Sequence, residues 1–269
     1  MTVHFIGAGP GAADLLTVRA VRLLNASQVC LYAGTYVTAD VLAHCPAGAE
    51  MIDTARLDLD QITEQLVRAH RAGHDVARLC SGDPSLYSAL HEQTRRLDSA
   101  GVPWDVTPGV PAYAAAAAIL GVELTVPELA QTVILTRAQA RSTAMPDGEN
   151  LENLAATGAT LVLHLAITRI SSLASRLIPF YGEDCPVAVV HRATQHDELV
   201  LTGTLADIAT AVEAAGPRQA AVIMVGRALG RAAAGDEHAE SHLYSPIRSR
   251  PERFTLPHAP APAEVPKVT

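Results

Sequence analysis

Three short turns carry the residue types best able to hold a ligand: GAGPGAAD at Gly7–Asp14, SGDPSLY at Ser81–Tyr87 and TPGVPAY at Thr107–Tyr113. Each follows an apolar run with strand character. Glycine at a strand end lets a ligand approach backbone groups, and a helix N-terminus beyond it favours an anion. In the second turn Gly82 permits close approach, Pro84 stiffens the chain, and Asp83 offers a carboxylate to a cation, an amine or a ribose. The alternative is that Asp83 only caps the next helix. Three such turns at the strand ends of one sheet point to a shared crevice. The first turn alone would suit a dinucleotide, but the NAD version needs an acidic residue closing the second strand. Here that strand ends Leu31-Tyr32-Ala33-Gly34, with no Asp or Glu before Asp40.

Other chemistries find less support. Cys30, Cys45, Cys80 and Cys185 form no C-x-x-C pair, which argues against a disulfide framework or a zinc ribbon, and Cys30 and Cys80 sit in apolar runs as core thiols. His70 and His74 have helical i,i+4 spacing, but Gly73 ends the helix between them, so no metal site is expected. His164, His191 and His196 lie at or after strand ends, each readable as a structural histidine or as a proton carrier. Arg56, Arg78, Arg137 and Arg192 stand at strand ends or in crevice-side segments, where a guanidinium would suit a planar carboxylate. The other reading of each is a solvated surface arginine.

The elements that must position these groups follow from periodicity. Strands are expected at Val3–Ile6, Gln28–Tyr32, Asp75–Cys80 and Val102–Thr107, alternating with helices from the first turn to Leu24, over Asp58–Gly73, and from the second turn to Ala100. Pro108-Gly109-Val110-Pro111 interrupts the pattern. It resumes with strands at Gln131–Thr136, Thr160–Leu165, Pro186–Val190 and Ala220–Val225, and helices near Pro111–Leu120, Arg169–Leu177 and Leu205–Ala214. The expectation is an α/β protein of two domains, 1–110 and 111–231, with mostly parallel sheets. Residues 232–269 are Pro-rich and aperiodic, and read as an extended or disordered tail.

Composition narrows the function classes. The chain has 269 residues, 49% hydrophobic and only 4% aromatic, with a formal net charge of −8. An acidic chain without a long basic run is not expected to bind nucleic acid or an anionic membrane. No leader is expected, since Met1-Thr2-Val3-His4 runs into a short strand, and the longest apolar stretch, near Ala112–Val122, is too short to span a bilayer. A cytoplasmic enzyme acting on a small molecule is the expectation.

Taken in order, GAGPGAADLLTVRA, ARLCSGDPSLYSAL, VTPGVPAYAAAAA, QTVILTRA, ATLVLHLA, PVAVVHRAT and QAAVIMVG resemble the S-adenosylmethionine-dependent tetrapyrrole (corrin/porphyrin) methyltransferases over about residues 1–230. LTVPELAQTVILTRA and the Tyr32-Ala33 pair are similar to the branch that methylates C11 of precorrin-4 in cobalamin biosynthesis; the cobalt-precorrin enzyme of the same pathway is the neighbouring alternative. A carrier that kept the fold without catalysis is the alternative of another class. The uroporphyrinogen branch differs, having an Asp where Ala33 stands and a Lys in the segment that here reads Asp53-Thr54-Ala55-Arg56.

The resemblance implies a cofactor cleft between two α/β domains, with a tetrapyrrole trough beside it and no metal. By motif, the cofactor contacts fall at Pro10, Ser81, Gly82, Asp83, Leu86, Pro111, Ala112, Leu165, Ala193 and Ala221. Gly9, Gly11, Arg56, Arg137 and Arg192 are the candidates for the substrate. No catalytic acid or base is singled out. The family resemblance also implies a homodimer.

Overall fold

The computed structural model describes residues 1–138 and 144–230, so the expected tail lies outside the described residues. The first half is a five-stranded sheet of β1 (Val3–Gly7), β2 (Val29–Tyr32), β3 (Glu50–Asp53), β4 (Val76–Cys80) and β5 (Trp104–Thr107), ordered β3-β2-β4-β1-β5. Every pair in it is parallel. Side chains alternate across it, as the two-residue strand period requires. Val3, Phe5, Val29, Leu31, Val76 and Cys80 face Leu66 and Ala69 of α3 (Leu59–Arg71) and Leu97 of α4 (Leu90–Ser99). Ile6, Cys30, Ala77 and Leu79 face Ala20 and Leu24 of α1 (Val18–Ala26) and Val41 of α2 (Ala39–Leu42). Helix α3 starts on a full capping box, with Asp58 and Gln61 each bonding the other's backbone N–H.

The second sheet holds β6 (Val133–Arg137), β7 (Thr160–His164), β8 (Pro186–His191), β9 (Leu199–Thr204) and β10 (Ala221–Val225), ordered β6-β7-β10-β8-β9. Helix α5 (Ala112–Leu120) covers one face, with Ala115 and Ala116 against Val162, Val190, Val222 and Met224. On the other face lie α6 (Leu151–Ala155), α7 (Ile170–Tyr181) and α8 (Ile208–Ala215). No helix among the described residues is long and apolar enough to cross a membrane.

The expected α/β architecture is present, and five of the eight strand pairs are parallel. The three antiparallel pairs all lie in the second sheet, where only β6 and β7 run parallel. The connection 192–198 is too short to carry a crossover helix, so β9 must turn back beside β8. Strands β3 and β9 were not expected from the sequence. Both are sheet edges, and β3 is mostly exposed, so neither presents a buried apolar run.

The parallel register sets Gly7 opposite Cys80 and Ile6 opposite Thr107, so the three glycine turns leave the same edge of the first sheet. There they touch backbone to backbone. A Cβ on Gly7 would lie 2.4 Å from Gly109 N, and one on Gly109 would lie 2.2 Å from Gly82 O. Gly9 and Gly82 also exchange backbone hydrogen bonds of 3.2 and 2.8 Å. Replacing Gly109 by Ala should therefore cost at least the roughly 1–3 kcal/mol of an overpacked core. That is a fall in Tm of about 2 °C or more. Gly48→Ala, with no atom within 4 Å of the added carbon, is the control and should melt as wild type. Equal melting of Gly109→Ala and wild type would refute the close packing.

Candidate active site

The turn 81–87 is held by Asp83. One carboxylate oxygen accepts from the Ser85 backbone at 2.8 Å and from the Ser85 hydroxyl, and the other accepts from Gly109 N at 2.8 Å. Burial raises the Asp83 pKa, and these three hydrogen bonds more than reverse that, so its net shift is downward. Asp83 thus ties the second turn to the third. It does not cap α4, which starts at Leu90 behind Ala89.

Across from these turns lie the ends of β7, β8 and β10. Leu165, Arg192 and Ala220 take left-handed backbone with φ of 53°, 48° and 52°, and Tyr87 opposite them has φ 54°. Non-glycine residues pay for this conformation, and such outliers gather where a structure is built for a ligand. All four border one cavity of about 510 Å³ between the two sheets. Its walls include each of the ten residues expected to contact the cofactor: Pro10 from the first turn, Ser81, Gly82, Asp83 and Leu86 from the second, Pro111 and Ala112 at the start of α5, Leu165 after β7, Ala193 after β8 and Ala221 in β10.

The substrate candidates divide. Arg192 lines the cavity, with its Nε on Asp197 at 2.6 Å. Gly9 and Gly11 do not line it. Gly9 pairs with Gly82, and Gly11 packs where an added Cβ would lie 2.3 Å from Gln195 Cγ. Arg56 is exposed and away from the cavity. Arg137 is outside the lining, although its charge acts on the Tyr87 hydroxyl. Of the three histidines only His164 lines the cavity; its Nε2 is the one buried side-chain polar atom without a partner among the described residues. Burial lowers the His164 pKa, so the ring is neutral at pH 7, and it sits 5.6 Å from the Tyr87 ring.

Residues 2–209 match the model of the Tetrapyrrole (Corrin/Porphyrin) Methylases. The chain belongs to this family. It is 58% identical over 250 residues to a precorrin-4 C(11)-methyltransferase of Rhodococcus erythropolis, covering 93% of this chain and 99% of that one. Among solved structures, a cobalt precorrin-4 methyltransferase superposes with a TM-score of 0.82 at 40% identity, over 85% of this chain and 96% of the other. A uroporphyrin-III C-methyltransferase of Thermus thermophilus, solved with S-adenosylhomocysteine, gives 0.71 at 29%, over 85% and 99%.

In this member of the tetrapyrrole methylases the cavity also takes in Ala33, Tyr36, Tyr87, Ser88, Gln195 and Arg218, none named from the sequence as a site residue. Arg218 precedes β10. A parallel strand would have put that end on the far side of the sheet, whereas the antiparallel β10 brings it to the cleft. Asp83→Ala should strand two backbone N–H groups and lower stability by about 1–3 kcal/mol. Asp83→Asn, which keeps one acceptor, should lose less. Equal melting of the Ala variant and wild type would show that the carboxylate does not join the turns.

Proposed function

We propose that the cleft binds S-adenosylmethionine and that the protein transfers its methyl group to C11 of precorrin-4, giving precorrin-5. The convergence of all ten motif-matched residues on one cavity carries this reading. The volume falls in the roughly 300–1,000 Å³ range of small-molecule sites. Gly82, Ala112, Ala193 and Ala221 give a wall of small side chains, so a ligand can reach backbone groups, and Pro10, Pro111 and Leu165 supply apolar surface. Those are the features a folded nucleoside with an amino-acid tail requires.

Bound S-adenosylmethionine supplies a methyl already activated by its sulfonium. The protein's share is then positioning and exclusion of water. Orientation of two reactants can supply roughly 7–11 kcal/mol of the barrier. The glycine-packed turns fix one wall, and the strained strand ends fix the other. Charge disperses as the methyl moves, so the apolar lining favours the step over the hydrated ground state. The division of the chain near residue 110 is part of this proposal: α5 then belongs with the second sheet, on which it packs.

The metal-free substrate is favoured over its cobalt counterpart by the 58% identity to the precorrin-4 enzyme against 40% for the cobalt-precorrin structure. Incubation with enzymatically generated precorrin-4 and S-adenosylmethionine should give a product 14 mass units heavier, about one CH₂, with the new methyl at C11 by NMR. A methyl at another carbon, or turnover only of the cobalt form, would overturn the assignment.

We also propose a homodimer. Edge strand β5 leaves Trp104 and Val106 more than a third exposed, and an uncovered apolar edge favours pairing. Sedimentation at micromolar concentration should give about twice the chain mass of 28.2 kDa. A single-chain mass would remove the dimer from the proposal.

A further inference from the structure

The face of the first sheet turned to α3 and α4 is apolar along its central strand except at one place. Arg78 stands in β4 between Val76 and Cys80, two residues from each and on the same side. It is 8% exposed. Its Nε donates to Gln93 Oε1 at 3.0 Å, and its Nη1 reaches Thr54 Oγ1 and the Leu79 carbonyl at 3.4 Å. All three acceptors are neutral. No carboxylate among the described residues pairs with it, although the chain carries 28 Asp and Glu. Burial draws its pKa down, yet a guanidinium stays charged.

A buried charge with only neutral partners is costly, and the usual remedy is a counter-ion. Arg78 also lines the cleft. Its Nη2 makes no hydrogen bond among the described residues, and unlike His164 Nε2 it is not sealed from solvent. The other two cleft arginines differ: Arg192 is taken by Asp197, and Arg218 is exposed at the rim. We infer that Arg78 is a preformed carboxylate socket in the floor of the cleft. It rests on the cleft reading above, in which both ligands carry carboxylates: the amino-acid end of S-adenosylmethionine and the acidic side chains of the tetrapyrrole. Nε and Nη1 hold the guanidinium plane, leaving Nη2 to donate a charge-assisted hydrogen bond.

Gln93→Glu in the full chain tests the inference, because it places a carboxylate on the Nε and satisfies the charge from within. Binding is read by calorimetry with S-adenosylhomocysteine and by fluorescence with uroporphyrin III, alongside melting. A socket predicts a folded variant whose affinity for one of these probes falls about tenfold or more; the probe affected names the source of the carboxylate. Arg78→Lys, which keeps charge but not the fork, should weaken the same probe. In wild-type protein the Arg78 Nε–H resonance should shift on adding that probe and not the other, a readout that needs no variant to fold. Unchanged affinities with a still resonance would make Arg78 a structural pin and overturn the inference. Wild type binding neither probe would instead break the reading of the cleft, and the inference with it. None of these measurements uses turnover, so a different methylated carbon leaves them intact.

Discussion

Three peptide backbones in contact without side chains between them set the rest of the structure. Gly7, Gly82 and Gly109 come from the ends of β1, β4 and β5; a Cβ on Gly7 or Gly109 would overlap backbone of the other two, and Gly82 itself takes left-handed backbone with φ 65°. The contact works only if the three strands are parallel and in the observed register, because only then do their ends reach one level. Once packed, the turns can be locked to one another by short-range bonds: Gly9 to Gly82 through backbone, Asp83 to Gly109 through a carboxylate. The sheet gives the glycines their meeting point, and the glycines give the cleft a close-packed wall.

The opposite wall is fixed by docking. Thr194 accepts from Ala12 N at 3.0 Å, and Gln195 donates to the Pro10 carbonyl at 3.2 Å. The loop after β8 thereby grips the first glycine turn from the other half. That use explains why Gly9 and Gly11, read from sequence as neighbours of the substrate, are not in the cavity wall: their freedom serves turn pairing and close approach by Gln195. It also places the left-handed Arg192 and Thr194 within the docking loop itself. The strain there is held by contacts across the halves, so the mouth of the cleft and the interface between halves are one construction.

How much could be read from sequence follows from what each signal depends on. Buried central strands announce themselves by apolar runs, and β1, β4, β7, β8 and β10 were all legible. Edge strands β3 and β9 were not, since half their groups meet water and their residues look like loop. The motif-matched cofactor positions converge because turns at strand ends are local features. Arg56 and Arg137 failed to reach the cavity because a long side chain's direction depends on packing that no spacing encodes. Arg218 went unread because strand direction is a tertiary property: the alternation of elements suggested a parallel β10, and the chain reverses it.

The charges of the cleft run against those of the chain. The formal net charge is −8, yet among the described residues Arg78, Arg192 and Arg218 line the cavity and Asp83 is its one acidic residue. The Asp83 carboxylate is already turned onto the Ser85 and Gly109 amides, so little of its charge is offered to a ligand. Among its ionisable groups the neutral His164 adds no charge at pH 7, and Tyr87 is kept protonated by burial. What remains is a locally positive hollow in an acidic body. Salt screens such charges at the surface, but inside the cleft, where screening is poor, they favour the carboxylate groups of a ligand. A ligand with several carboxylates meets a net-acidic body with three arginines gathered at the cleft. The contrast between an acidic exterior and a cationic cleft thus sharpens the choice of a polycarboxylate tetrapyrrole.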